Sequence, residues 1–142
     1  YVDVDGDKKN PVMLHRAILG SLERWIGILV EQYSGRLPLW LSPVQVTVCT
    51  VVEKSNDYAQ FIFSKLVESG IRCELDLRNE KIGYKIREHS VNGSPIILIA
   101  GEKEKKDKTI AIRYLGLNNQ EIKKFDNFFS ELKIKILPPD LI

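Results

Sequence analysis

The segment Val44–Val52, with the sequence VQVTVCTVV, decides the fold of this chain. It is almost wholly apolar or β-branched, which is typical of a central strand that helices cover on both faces of a sheet. A helix is predicted next, capped at Ser55–Asp57 and ended by Gly70. Apolar and charged residues then alternate in Ile71–Leu77, which predicts a second strand. Two strands joined through a helix indicate a parallel pair with a right-handed crossover.

The rest of the chain continues in the same manner after residue 78. Two more helices and two more strands are predicted there: Glu80–His89 after an Asn79 cap, the strand Pro95–Ala100, the strand Thr109–Leu115 after a charged turn at Gly101–Lys108, and a helix from Asn118 and Asn119 to Leu132. The order from residue 44 is therefore βαβαββα. It predicts an α/β fold with a mixed, mainly parallel sheet flanked by helices.

Composition sets the broad class of protein. The 142 residues are 44% hydrophobic and 28% charged, and the net charge of +2 is too small to indicate nucleic-acid binding by itself. Cys49 and Cys73 lie in apolar runs outside any CxxC motif, which favours buried thiols in a reducing cytoplasm. No apolar stretch has the length of a membrane span, so no membrane partner is expected. The chain starts at Tyr1 without a methionine, which suggests a fragment of a longer protein.

The residues before the sheet predict a separate unit. Alternation in Pro11–Leu19 predicts a strand, and a turn at Asp5-Gly6 would pair it with Tyr1–Val4, with a frayed terminus as the alternative. Two prolines in Arg36–Pro43 exclude regular helix and indicate a linker. We place the boundary near Ser42, which divides the chain into residues 1–41 and 42–142.

A possible anion site lies in this first unit. Gly20 breaks the predicted strand, and Ser21 is a suitable N-cap for a helix that buries a broad apolar face and ends near Gly35. Free amides at a helix N-terminus attract anions, and Arg24 adds a planar guanidinium suited to phosphate or to stacking on a base. The alternative is an ordinary buried strand–helix unit in which Glu23 and Arg24 are solvated.

Three blocks of the sequence carry a family resemblance. HRAILGSLERWIGILVE, at residues 15–31, resembles motif 3 of class II aminoacyl-tRNA synthetases in the form found in threonyl-tRNA synthetases. LPLWLSPVQV, at residues 37–46, resembles the junction to that family's C-terminal anticodon-binding domain. GIRCELDLRNEKIGYKIREH, at residues 70–89, resembles a characteristic run of that domain. The resemblance extends from about Pro11 to about Leu132.

The resemblance implies part of a threonine–tRNA ligase, a cytoplasmic homodimer that activates threonine with ATP and Mg and transfers it to its tRNA. It implies that Arg24 contacts ATP and that Gly20 and Ser21 line the nucleotide pocket. His15 would be one of three ligands of a zinc that binds threonine, with the other two ligands upstream of this chain. A lone structural histidine is the alternative. Motifs 1 and 2 are missing, so the chain should be inactive alone.

The same resemblance implies an anticodon site in residues 42–142. Asn79, Glu104 and Arg113 would meet anticodon bases, although Asn79 is alternatively only a helix N-cap. The candidates for phosphate contacts are Lys81, Lys85 and Arg87, whereas the lysines of the charged turn are alternatively only solvated.

Two other functions stay open at this point. The chain could be a non-catalytic RNA-binding or regulatory module with an anticodon-binding type of fold. It could also belong to a related synthetase for proline, histidine or glycine. The block from His15 to Arg24 favours the enzyme over the module, and its His-Arg-Ala-x-x-Gly-Ser spacing favours threonine.

Overall fold

Five strands and five α-helices form the computed structural model, which describes residues 1–117 and 119–139. Their bounds are α1 Leu22–Gln32, β1 Val46–Thr50, α2 Asn56–Glu68, β2 Cys73–Asp76, α3 Ile82–Val91, β3 Ile96–Ala100, α4 Glu102–Asp107, β4 Thr109–Tyr114, β5 Gln120–Lys124 and α5 Phe125–Lys135. A short 3₁₀ turn, Glu53–Ser55, precedes α2.

The strands form one mixed sheet in the order β2-β1-β3-β4-β5. Strand β1 is parallel to β2 and β3, with Val48 opposite Leu75 on one side and Leu98 on the other. Strand β4 is antiparallel to both of its neighbours, β3 and β5. All five residues of β1 are buried, as expected for an interior strand of a sheet covered on both faces. The predicted α/β fold with a mixed sheet is confirmed.

Each face of the sheet has its own apolar cluster. Val46 and Val48 of β1 pack with residues of α2 and α5, including Ile62 and Phe128. Cys49 faces the other way and packs in the second cluster, beside α3. Neighbouring residues of a strand point to opposite faces, so one short segment supplies both layers of the core.

The C-terminal part differs from the predicted order in two places. Residues 102–107 form α4 instead of a turn, because EKEKKD consists mostly of good helix formers and the Glu104 carboxylate accepts a hydrogen bond from the backbone N–H of Gly101, the N-cap residue. The predicted last helix is wrong over Gln120–Lys124, which forms β5, and α5 begins only at Phe125. The order is therefore βαβαβαββα. The predicted cap at Asn118 lies outside the described residues.

The predicted strand Pro11–Leu19 is wrong, because these residues have no regular secondary structure and are all exposed. A strand needs a neighbour to satisfy its backbone groups. The turn at Asp5-Gly6 is present, but it pairs Val2 with Lys8 and leaves the predicted partner unpaired.

Helix α1 begins where the sequence predicts. The Ser21 hydroxyl accepts a hydrogen bond from the Arg24 backbone N–H at 3.2 Å, which confirms the N-cap. The predicted burial of its apolar face is wrong within this chain, since α1 has no buried residue and Leu22 and Ile26 are exposed.

The segment between α1 and β1, residues 33–45, is held against the sheet by hydrogen bonds. The guanidinium of Arg72 donates to the backbone oxygens of Trp40 at 2.8 Å and Ser42 at 2.9 Å. Gln45 donates to Leu39 O and accepts from Arg72 N, each at 3.0 Å. The unit boundary near Ser42 stays a prediction. In the described part of the chain, no helix combines the length and apolar character needed to cross a membrane.

Candidate nucleic-acid interface

The three parallel strands end side by side at one edge of the sheet. Their last residues are Thr50, Asp76 and Ala100, and we call the surface formed by these residues and the loops that follow them the carboxyl edge. Open α/β sheets bind ligands at the carboxyl ends of their strands, where the connecting loops separate. A ligand-binding site is therefore expected at the carboxyl edge.

A buried carboxylate organises this edge. Asp76 is only 5% exposed, and its oxygens accept hydrogen bonds from the Arg78 backbone N–H at 3.0 Å and from Arg78 Nη2 at 2.7 Å. His89 Nε2 lies 2.9 Å from Asp76 Oδ2. An ionised carboxylate only accepts hydrogen bonds, so this nitrogen of His89 carries a proton. Arg78 Nη2 also reaches Glu88 Oε2 at 2.7 Å.

A buried lysine joins two of the strand ends. Lys85 is 1% exposed, and its Nζ donates to the carbonyl oxygens of Thr50 at 3.1 Å and Asp76 at 3.2 Å. The same ammonium lies 3.6 Å from Asp76 Oδ1. The prediction that Lys85 contacts RNA phosphates is therefore wrong. A buried ammonium must be paired, and its donors here are directed at the protein itself.

These contacts determine the protonation of the edge. Burial alone would raise the pKa of Asp76, but hydrogen bonds from Arg78 and His89 and the charge of Lys85 outweigh burial and lower it. The hydrogen bond from Arg78 also lowers the pKa of Glu88. The carboxylates of Asp76 and Glu88 are therefore charged at neutral pH and hold the guanidinium between them.

Cys49, Asp76 and His89 place one possible metal-ligand atom each within 4.8 Å of one another. The positive charges of Lys85 and Arg78 beside these three residues disfavour the binding of a metal cation. Burial, followed by the negative charge of Asp76, raises the pKa of the Cys49 thiol to about 12, so the thiol is protonated at neutral pH. Lys85 and Arg78 already neutralise the carboxylate. The cluster is a structural ion network.

Asn79 lies at the mouth of a cavity in the carboxyl edge. The cavity has a volume of about 240 Å³ and is lined by Thr50, Val51, Val52, Glu53, Asn56, Leu77, Arg78 and Asn79. The alternative role of Asn79 as a helix N-cap is wrong, because α3 begins at Ile82 and Lys81 occupies the cap position. Asn79 is exposed, so its amide is available to a ligand. The Oδ1 atom of Asn56, in the cavity wall, is buried without a hydrogen-bond partner among the described residues.

The other two predicted base-reading residues lie farther along the sheet. Glu104 is in α4, just after the end of β3, and its Oε2 accepts from Gly101 N at 3.1 Å. Arg113 is in β4, paired with Ile97 and partly exposed. The end of β2 does not lie beside Arg113, because β1 and β3 separate β2 from β4. Three strand spacings put these backbones about 14 Å apart. The structure brings Asn79 and Glu104 to one edge and leaves Arg113 within the sheet.

The remaining predicted residues of this site are at the surface. Lys81 and Arg87 are exposed at the start and in the body of α3. Their ammonium and guanidinium groups can meet phosphates without losing a protein partner, in contrast to the ammonium of Lys85.

The predicted nucleotide and zinc residues lie outside the sheet. Gly20 has a φ of +69°, which favours glycine, and Arg24 is exposed in the first turn of α1. His15 is exposed, with Nε2 at 2.9 Å from Met13 Sδ. Within residues 1–117 and 119–139, His15 belongs to no cluster of possible metal ligands. One donor does not fit a zinc site, which takes three or four protein ligands, so the residues that the structure describes do not complete one around His15.

Sequence reasoning missed the network of Asp76, Lys85 and His89. One signal was available, because Lys85 and His89 are four positions apart and lie on one face of a helix that directly follows Asp76. A lysine on the buried face of a helix beside an acidic strand end indicates an internal ion pair more than an RNA contact.

Comparison with known proteins gives consistent matches. Residues 45–135 match the family model described as anticodon binding domain. The threonine–tRNA ligase of Parvibaculum lavamentivorans is 52% identical over 141 residues, which are 99% of this chain and 22% of that protein. The ligase of Paramagnetospirillum magneticum is 52% identical over 139 residues, with 98% and 22% covered. The chain thus spans about a fifth of the length of these curated relatives.

A solved structure agrees with the sequence matches. The crystal structure of the RNA binding domain of threonyl-tRNA synthetase from Cryptosporidium parvum superposes with a TM-score of 0.80 and 34% identity, covering 87% of this chain and 31% of that one. The family model spans all five strands and reaches the last residue of α5. On this evidence, the chain belongs to the anticodon-binding-domain family.

Proposed function

We propose that this chain is the anticodon-recognising part of a threonine–tRNA ligase, an enzyme that activates threonine with ATP and transfers it to the tRNA for threonine. The observation that carries the proposal is the cavity in the carboxyl edge, with the exposed amide of Asn79 at its mouth. The names of the relatives at 52% identity support the choice of threonine.

The side chains of this surface offer the groups that read RNA bases. The amide of Asn79 both donates and accepts hydrogen bonds, the carboxylate of Glu104 accepts them, and the guanidinium of Arg113 donates them in pairs. Asn79 and Arg113 are too far apart to meet the same base. They therefore read different bases, as the unstacked bases of a single-stranded loop allow.

Electrostatic attraction comes from a second set of residues. Lys81 lies just before α3 and Arg87 lies within it, and both contact phosphates, which strengthens binding to any RNA. The small net charge of +2 is compatible with this division, because the basic groups that matter are local.

The N-terminal segment contributes to the activating site of the whole protein. Arg24 contacts ATP, bound with Mg, and Gly20 and Ser21 line the nucleotide pocket. The exposed guanidinium at the N-terminus of α1 supports this role, because phosphate favours that position. His15 supplies one of three zinc ligands, and the other two come from parts of the protein outside this chain. When bound, zinc supplies a Lewis acid for the amino and hydroxyl groups of threonine. We also propose a homodimeric, cytoplasmic enzyme.

Binding of anticodon stem-loops to variants of this chain tests the proposal. Asn79→Ala, Glu104→Ala and Arg113→Ala should each cost about 1–3 kcal/mol for the cognate loop and little for a loop with a changed anticodon. Lys81→Ala and Arg87→Ala should weaken both loops alike and lower the salt slope by about one unit at most. If all five variants lose cognate and mismatched affinity equally, the surface is only electrostatic and the proposal fails.

A further inference from the structure

We propose that Arg78 and Glu88 are positioning residues, whose ion pair sets the place of Asn79 and thereby the discrimination between anticodons. We call residues 77–81, which include Asn79, the reading loop. The inference rests on the proposed function, because it explains how this loop is held in place. Neither residue is assigned a contact with RNA. They affect recognition indirectly, because they determine the backbone position of Asn79, which contacts the RNA.

The loop has few supports of its own. It has no helix or strand, and a backbone hydrogen bond from Glu80 N to Arg78 O, 2.9 Å long, closes it locally. Asn79 stands between these two residues and is exposed. The direction of the Asn79 side-chain amide therefore depends on how firmly the backbone of Arg78 is held.

Arg78 is fixed on two sides by carboxylates from two different elements. Its Nε and Nη2 donate to Asp76 in β2 at 3.1 and 2.7 Å, and its Nη2 also donates to Glu88 in α3 at 2.7 Å. The guanidinium therefore ties the end of a strand to a helix, with the reading loop between them. A planar fork with several donors holds one orientation better than a point charge does.

Asp76, one of the two carboxylates that hold Arg78, is itself held in place by its neighbours. Asp76 is buried and also holds His89, and Lys85 joins the Asp76 carbonyl to that of Thr50. The position of Arg78 is thus fixed relative to the ends of β2 and β1. Supporting contacts of this kind decide how accurately a recognition group is placed.

Glu88 distinguishes positioning from simple charge, because the two effects have opposite signs. If Glu88 acted only through its negative charge, its removal would strengthen binding to every RNA, since phosphates are repelled by carboxylates. If Glu88 positions Asn79, its removal leaves the guanidinium held by Asp76 alone and weakens the selection of the cognate loop.

The test compares Glu88→Gln with Glu80→Gln in the 142-residue chain. Each change removes one negative charge, but Glu88 forms an ion pair with Arg78, whereas Glu80, next to Asn79 in the sequence, makes no ion pair among the described residues. The measured quantity is the ratio of Kd values for a mismatched and a cognate threonine anticodon stem-loop. We expect Glu88→Gln to lower this ratio about three- to tenfold and Glu80→Gln to leave it unchanged. Equal ratios in the two variants would overturn the inference.

A double change controls for separate effects. If Arg78 and Glu88 act as one unit, Arg78→Lys with Glu88→Gln should lower the ratio no further than the stronger single change. Full additivity would show that Arg78 meets RNA on its own and would also overturn the inference. A urea unfolding curve for each variant confirms that the sheet is intact.

The result for Asn79→Ala separates this inference from the proposed function. If Asn79→Ala lowers the ratio and Glu88→Gln does not, only the positioning role fails. If Asn79→Ala leaves the ratio unchanged, the reading role of Asn79 fails, and the positioning role fails with it whatever Glu88→Gln does.

Discussion

The buried ammonium of Lys85 lies 3.1 Å from the carbonyl oxygen of Thr50, the last residue of β1. We predict that Lys85→Met lowers the free energy of unfolding by about 1–3 kcal/mol, because methionine fills the space but removes the hydrogen bonds to two buried carbonyl oxygens and the positive charge beside Asp76. Urea unfolding measures the change. The control is Lys103→Met, an exposed lysine of α4, which should have little effect. Equal stability of the two variants would show that the ammonium is unimportant.

The carboxylate of Asp76 should make stability depend on pH. Its pKa is lowered in the folded state, so its contribution is complete above the unfolded value of 3.8 and is lost as the pH falls toward the folded value. The difference in unfolding free energy between the wild type and Asp76→Asn should therefore shrink from about pH 5 to about pH 3. Urea midpoints at each pH provide the test. A difference that stays constant over this range would contradict the ion network.

The sequence predicted the centre of the sheet better than its edges. Val46–Thr50 is so uniformly apolar or β-branched that a buried strand was its natural structure. Gln120–Lys124 contains good helix formers, and only pairing with the open edge of β4 makes it a strand. Such pairing depends on a partner distant in sequence, which local propensity does not include.

The sequence predicted which residues form the candidate site better than it predicted their burial and the distances between them. Asn79 was identified by its position after a strand, and the structure leaves its amide exposed. Lys85 was misinterpreted because lysines are mostly solvated, and its burial depends on Asp76, nine residues earlier. The distance between Asn79 and Arg113 depends on strand order, which the sequence of elements does not determine.

In the full-length protein, His15→Ala should remove bound zinc. Loss of a direct ligand costs more than the 10- to 100-fold in metal affinity that is typical of supporting contacts, so we expect the zinc content to fall by more than about 100-fold at limiting metal. Metal analysis of the purified protein measures it. The control is His89→Ala, a change of the other histidine, which contacts Asp76. Full zinc content in His15→Ala would show that His15 is no ligand.

For Arg24, we predict that lysine is a poor replacement in the full-length protein. Lysine keeps the charge and loses the planar fork, so adenylate formation should slow by about 10- to 100-fold while tRNA binding is retained. Threonine-dependent pyrophosphate exchange and single-turnover activation report the effect. Arg87→Lys, in α3, should leave activation unchanged. Normal activation by Arg24→Lys would exclude a specific contact with ATP.

The central claim is that residues 42–142 select an RNA by its anticodon. The most direct measurement is the Kd of the unaltered 142-residue chain for the threonine anticodon stem-loop and for the same stem-loop with one anticodon base exchanged, at two salt concentrations. The account predicts that the exchange weakens binding by about 1–3 kcal/mol, borrowing the magnitude of base contacts in DNA, and that the difference persists at higher salt. Equal affinity for the two stem-loops at both salt concentrations would contradict it.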